Sequence, residues 1–187
     1  YQVQYMTAVL QAEAGDAEKV SEIVQECRRL NIDVLPPDIN ESFRNFAMVS
    51  KHGEPGRIRF GLSAIKNVGE HICEEIYRER KNKGQYQSLE DFFGRVDDKD
   101  LNKKSLESLI QCGALDGFGF DRGLLLDNIE NLLSFIRTAR EKIISNQHSL
   151  FSNTDIAFDS KVFLKGKREA GLEEKLSWEK NLLGLYL

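Results

Sequence analysis

A four-residue bend, Lys66-Asn67-Val68-Gly69, sets the strongest constraint on how this 187-residue chain can fold. It joins the apolar run Phe60-Gly61-Leu62-Ser63-Ala64-Ile65 to a stretch of helical spacing that runs from Glu70 to about Asn82. Val68 is placed to plug the centre of the turn, and Gly69 opens the second helix with a residue that permits positive φ and close approach to the backbone. Asn67 is the next best residue type for a left-handed conformation. A helix that starts this way leaves its first N–H groups without intrahelical acceptors, and its dipole favours an anion there. Lys66 adds a point charge beside it. Lys66, Asn67, Val68 and Gly69 are therefore candidates for holding a phosphate, a contact that positions DNA without reading its sequence.

The arrangement fits the helix-hairpin-helix pattern, although an ordinary αα-turn ended by a C-cap glycine reads similarly. A second stretch strengthens the first. From Leu101 to Leu126 an amphipathic helix, with Leu106, Leu109 and Ile110 facing inward, meets the bend Gly113-Ala114-Leu115-Asp116-Gly117-Phe118-Gly119. Lys103, Lys104 and Arg122 lie nearby, so Lys103, Lys104, Gly117, Gly119 and Arg122 join the candidate DNA-binding set. Two such units packed pseudo-symmetrically can hold both strands of a duplex across the minor groove. The net charge of −4 does not advertise nucleic acid, but Lys51 to Lys83 carries eight cations against five carboxylates, a local excess of +3.

Around these units the pattern predicts helices over Val3–Leu10 and Asp16–Leu30, the second burying Val20, Ile23, Val24 and Cys27 behind an Asp16 cap. Ile32 to Leu35 is a short β-branched run closed by Pro36-Pro37. Phe46–Val49 and Arg57–Leu62 read as a β-hairpin. Gly84-Gln85-Tyr86 breaks a helix, and Ser88-Leu89-Glu90-Asp91 resembles a capping box opening a short one. Asp121 could cap a long helix from about Gly123 to Ser145. A polar loop follows from Asn146 to Ser160, then an amphipathic segment, Glu173 to Leu187, anchored by Trp178. The fold class expected is mainly α: a tandem helix-hairpin-helix domain preceded by a small α/β piece with a β-hairpin. The apolar, abrupt ends at Tyr1 and Leu187 read as cut.

Composition narrows the function classes. Hydrophobic residues at 41% and charged residues at 30% describe a globular chain, and no apolar run approaches the roughly 20 residues that span a bilayer. Cys27, Cys73 and Cys112 are odd in number and far apart, which argues for reduced, partly buried thiols in a cytoplasmic protein rather than disulfides or zinc. No metal site is expected. Asp97-Asp98-Lys99-Asp100 reads as a solvated turn, Asp91 as a cap rather than a glycosylase-type catalytic Asp, and His52, His71 and His148 as surface residues.

The stretches Val34-Leu35-Pro36-Pro37-Asp38-Ile39-Asn40-Glu41-Ser42, Arg57 to Lys66, Gly113-Ala114-Leu115-Asp116 and Trp178 to Leu187 resemble the replicative C-family polymerases, the alpha subunits of bacterial DNA polymerase III. The resemblance covers essentially the whole chain. It implies that residues 1–55 end the fingers domain, that 56–145 form the tandem helix-hairpin-helix domain, and that 146–160 carry a sliding-clamp motif. Residues 161–187 would lead toward an oligonucleotide-binding domain. Gln147-His148-Ser149-Leu150-Phe151 matches the clamp-binding pentapeptide: Leu150 and Phe151 would fill an apolar pocket while Gln147 bonds at its rim. Duplex DNA, the clamp (the beta subunit) and other replisome subunits are the implied partners. The polymerase's magnesium belongs to palm carboxylates absent from this chain, so no cofactor is expected in it and no catalytic residue is assigned. The alternatives are a helix-hairpin-helix protein-interaction module and a repair glycosylase.

Overall fold

The computed structural model describes residues 1–50, 55–147 and 161–186. Its first helices, α1 (Gln2–Ala12) and α2 (Ala17–Arg29), pack against each other. Asp16 caps α2 as expected, accepting from the amides of Glu18 and Lys19, and Val20, Val24 and Cys27 form its buried face. Below them lie three short strands, β1 (Val34–Leu35), β2 (Ala47–Val49) and β3 (Arg57–Arg59), in the order β1-β3-β2. The expected hairpin is the antiparallel β2–β3 pair, with Met48 opposite Ile58. The parallel pairing of β1 with β3, Val34 opposite Ile58, went unforeseen because nothing local in a two-residue strand specifies a parallel partner. The sheet joins residues on both sides of position 55.

Between β1 and β2 the chain crosses the interior, and each polar group there needs a partner. Ser42 closes a tight turn: its amide donates to the Asp38 carbonyl (2.7 Å), and its hydroxyl accepts from the Asp38 amide and donates to the Phe60 carbonyl (2.8 Å). Asn40 and the backbone of Tyr86 exchange two hydrogen bonds, 2.9 and 2.8 Å. The Arg80 guanidinium donates to the Ile39 and Ser42 carbonyls, 2.5 and 2.6 Å. The Ile39 amide in turn donates to the Ala114 carbonyl at 3.1 Å.

Helices fill the rest. A 3₁₀ turn at Leu62–Ala64 leads through the bend at Lys66–Gly69 into α3 (Glu70–Lys83), which Gly84 ends at φ +81°. In α4 (Leu89–Arg95) Ser88 accepts from the Asp91 amide, but the Asp91 carboxylate returns to the amide of Gln87, so the box closes one residue early. A full capping box opens α5 (Lys103–Gln111), made by Asn102 and Ser105. After a 3₁₀ turn at Asp116–Phe118 come α6 (Arg122–Asp127) and α7 (Ile129–Gln147), where one long helix was expected. The break is at Asn128. Its side-chain amide donates to the carbonyls of Leu124 and Lys165 and accepts from the Lys165 amide, tertiary bonds that outweigh helix continuity. Asn146 and Gln147, expected in the polar loop, complete α7.

Residues 161–171 form an extended strap that runs back over the helices and ends in α8 (Leu172–Leu183). Val162 donates to Glu90, Ala170 to the carboxylate of Asp121, and Lys175 pairs with the same carboxylate at 2.7 Å. Beyond α8, Gly184 (φ +80°) lies so close to Ala17 that a Cβ would sit 2.7 Å from its carbonyl oxygen. The segment is anchored by buried Leu182, Leu183 and Leu185; Trp178, the expected anchor, is half-exposed. No helix among the described residues is long and apolar enough to cross a membrane.

Two tests follow from these bonds. Arg80→Ala orphans two carbonyls and is expected to cost about 2–3 kcal/mol in urea unfolding, with Arg80→Lys recovering only part because an ammonium cannot fork. Burial pushes the Asp121 carboxyl up, but Lys175 and the amides of Ala170 and Gly123 outweigh it and hold the group at about 2. A depressed folded-state value stabilises above the unfolded one, about 3.9, and that contribution is lost as pH falls through the folded value. The stability gap between wild type and Asp121→Asn is therefore expected to narrow as pH drops from about 6 to about 2, and a gap independent of pH would refute the assignment.

Candidate nucleic-acid interface

The first bend places its residues as a cradle. Asn67 takes the left-handed conformation at φ +68°, and its amide group donates to Ser108 Oγ on α5 at 3.2 Å. Val68 is buried as the plug. Gly69, the N-cap of α3, is extended at φ −72°, ψ 157°, so the positive φ expected of it belongs to Asn67 alone. What Gly69 provides is room: a Cβ there would meet only Asp100 Oδ2, at 3.8 Å. Asp16, Ser88, Asn102 and Asp121 cap α2, α4, α5 and α6 with their side chains, whereas no side chain caps α3. The first intrahelical bond runs from the Cys73 amide to Gly69. The N–H groups before it lack intrahelical acceptors, and Lys66, Gly69 and Glu70 beside them are exposed.

Glu70 would repel an anion, but Arg44 lies against it at 2.5 Å and reaches Glu74 at 3.9 Å. Arg44 is a residue that sequence reasoning missed. It stands far from the bend along the chain and no motif marks it. A groove of about 500 Å³ flanks the bend, bounded by Lys66–Val68 on one side and by Lys180–Gly184 of the α8 end on the other.

Lys103 and Lys104 group with the first bend rather than the second. Lys104 lies one helical turn from Ser108, the partner of Asn67, and both lysines stand on the opening turn of α5, the end whose dipole disfavours cations. Lys103 pairs with Glu130 at 2.8 Å, while exposed Lys104 has no ion partner among the described residues.

The second bend is built differently. Gly113 and Gly119 take positive φ, +83° and +78°, and the amides of Gly113, Ala114, Asp116, Phe118 and Gly119 all donate to carbonyls within the bend or the end of α5. Asp121 then caps α6 by accepting from the Gly123 amide. Gly117 lies beside Asp38, whose carboxylate oxygen would be 3.5 Å from a Cβ. Arg122, expected to face phosphate, is turned inward with its side chain 11% exposed. It donates to Asp116 (2.7 Å), to the Gln111 carbonyl (3.0 Å) and to Glu179 of α8 (2.9 Å).

The local charge excess is consumed in a similar way. Arg59 is buried against Glu41 and the Pro36 carbonyl, Arg80 binds two carbonyls, Arg78 pairs with Glu75, Lys83 with Glu79, and Arg57 is engaged too. Among the described residues of that stretch only Lys66 stands at the bend. Asp98 Oδ1 accepts from the Asp100 amide and Asp97 pairs with Arg140 at 3.3 Å, the behaviour of a turn. The three cysteines are buried and unpaired, and burial pushes Cys73 and Cys112 up to about 12. Gln147 ends α7 by its backbone, and His148, Ser149, Leu150 and Phe151 lie outside the described residues.

A family model described as helix-hairpin-helix motif matches residues 31–125, from just before β1 to α6. The chain is 36% identical over 188 residues to the DNA polymerase III subunit alpha of Campylobacter jejuni, covering 100% of this chain and 16% of that protein. The Thermus aquaticus subunit alpha is 43% identical over 155 residues, 83% of this chain and 12% of its own length. That of Deinococcus radiodurans is 37% identical over 190 residues, 100% and 14%. The chain thus spans only 12–16% of the length of these relatives. With the motif model over half of its residues, and these homologues covering it from end to end, the chain belongs to the helix-hairpin-helix family as represented in the alpha subunits of DNA polymerase III.

Proposed function

We propose that this chain is the part of a replicative polymerase that holds duplex DNA without catalysing its synthesis. The observation that carries the reading is the uncapped start of α3, presented beside left-handed Asn67 with Lys66 and Lys104 exposed around it. Outward N–H groups and a helix dipole attract a backbone phosphate, Gly69 leaves room for it, and the lysines add charge. Nothing in such a contact depends on base identity. Lys66, Asn67, Val68, Gly69, Lys103 and Lys104 form the holding face. Gly117, Gly119 and Arg122 support it from behind.

On this reading residues 1–55 end a fingers domain, 56–145 hold the duplex and 161–187 lead toward an oligonucleotide-binding domain. Nucleotidyl transfer, with magnesium on palm carboxylates, belongs to the rest of a full-length cytoplasmic polymerase and its replisome partners. The pentapeptide Gln147–Phe151, which begins with the last residue of α7, serves as the tether to the sliding clamp. A short peptide binds modestly, but tethering raises the effective concentration at DNA to the millimolar range.

Duplex binding is expected to be weak, independent of base sequence and salt-sensitive in an anisotropy titration. Lys104→Ala should lower the log–log salt slope by about 0.9, the share of one phosphate contact. Gly69→Ala has an ordinary φ and open space, so it should leave stability within about 0.5 kcal/mol of wild type while weakening binding. Unchanged affinity in both variants would remove the α3 cradle from the account. Separately, Leu150→Ala with Phe151→Ala should abolish capture by a bacterial sliding clamp and leave duplex affinity intact. Retained capture would refute the tether.

A further inference from the structure

We infer that α8 is a brace that fixes the two bends relative to one another, with Glu179 as its positioning residue, an inference that builds on the duplex-holding reading. Two bonds made from neighbouring turns of α8 carry it. The Glu179 carboxylate, on a side chain 12% exposed, accepts from Arg122 Nη1 at 2.9 Å. Three residues on, the carbonyl of Leu182 accepts from the Lys66 amide at 3.2 Å.

Arg122 is the hub of the second bend, since it also grips Asp116 and the Gln111 carbonyl at the end of α5. Its guanidinium packs against the backbone there, since a Cβ at Gly113 would run into Arg122 Nη2. Gly113 is therefore demanded twice, by its φ of +83° and by this contact. At the other bend, Leu182 belongs to the last turn of α8, whose carbonyls lack intrahelical donors, and the Lys66 amide supplies one. α8 thus holds the second bend through a half-buried ion pair and the first through a main-chain bond. The buried Leu182 and Leu183 side chains seat the helix between them. Arg122 grips the end of α5, the helix that carries Lys104, so α8 sets the spacing between the α3 start and the α5 lysines, and a duplex offers its phosphates at fixed intervals. Arg122 and Glu179 act on DNA only through that spacing.

The direction of the effect separates this role from simple electrostatics. Replacing Glu179 removes a negative charge, which on charge alone would tighten DNA binding. The brace requires the opposite. In the 187-residue chain, Glu179→Ala is expected to weaken duplex binding about tenfold and Glu179→Gln, which keeps a neutral hydrogen bond, about threefold, both with the wild-type salt slope. Amide exchange at Lys66 should quicken in both variants while the circular-dichroism spectrum stays native. Glu173→Gln, on the exposed side of α8, is the charge control and should leave Lys66 exchange as it is. The inference is overturned if the Glu179 variants bind as tightly as wild type or tighter, if Lys66 exchange does not change, or if the slope falls by about one. Should Glu179→Ala fail to fold, the isosteric Gln variant decides. Should wild type itself bind no duplex, the duplex-holding reading fails, and Lys66 exchange alone decides whether α8 braces the bends.

Discussion

The turn from Asp38 to Ser42 buries Ile39 and Ser42 at its ends, and its buried main-chain groups have to be satisfied by the protein itself. Arg80 from α3 takes two of its carbonyls, the backbone of Tyr86 pairs with Asn40, the Phe60 carbonyl accepts from Ser42, and Ala114 accepts from Ile39. Those partners come from β3's continuation, from α3, from the entry to α4 and from the second bend. One polar turn therefore sets where four otherwise separate elements meet. Apolar packing could bring them together in several ways, as helices tolerate sliding; directional bonds to fixed carbonyls do not. The orientation of α3 follows from this turn, and with it the direction in which its uncapped amides face.

The two bends show how one sequence pattern can serve different physical ends. Both have a tight turn between helices, glycines and nearby cations. In the first, the strained left-handed position falls on Asn67 and the N-cap is a glycine without a side chain, so the amides beyond it stay open. In the second, glycines take the left-handed positions, the turn's amides close on its own carbonyls, and a carboxylate caps the next helix. A side-chain cap and an external anion compete for the same donors. Asp121 at the second bend and its counterpart Gly69 at the first therefore separate an inward-looking turn from an outward-looking one.

Much of the architecture was legible in the residues. The α2 cap, the inward face of α5, the β2–β3 hairpin and the left-handed Asn67 each depend on neighbours within a few positions. What escaped depends on partners far along the chain. The break at Asn128 is made by Lys165, the parallel place of β1 by a strand some twenty residues on, and the inward turn of Arg122 by Glu179. Proximity in sequence also misled the charge count between Lys51 and Lys83, because a guanidinium can lie near the bend in sequence and point into the core. Arg59 and Arg80 do so, while Arg44, outside that window, arrives beside Glu70 through space. The family resemblance supplied the architecture's name but not these assignments, which need coordinates.

The scarcity of free cations at the cradle is itself informative on the proposed reading. Among the described residues Lys66 and Lys104 have no ion partner, in a chain of net charge −4, so each added phosphate contact would quickly meet the repulsion of the surrounding carboxylates. Few contacts mean a shallow salt dependence and an affinity at the weak end of non-specific binding, roughly 10⁻⁴ to 10⁻⁶ M. On that reading the weakness is useful: a contact that carries no base information and little energy can be broken and remade as the duplex moves past it. Persistence on DNA then has to come from elsewhere. A short tether just beyond α7, on a ring that encircles the duplex, would supply it by effective concentration rather than by grip. On the proposed reading, weak holding at α3 and the Gln147–Phe151 tether would be complementary parts of one arrangement.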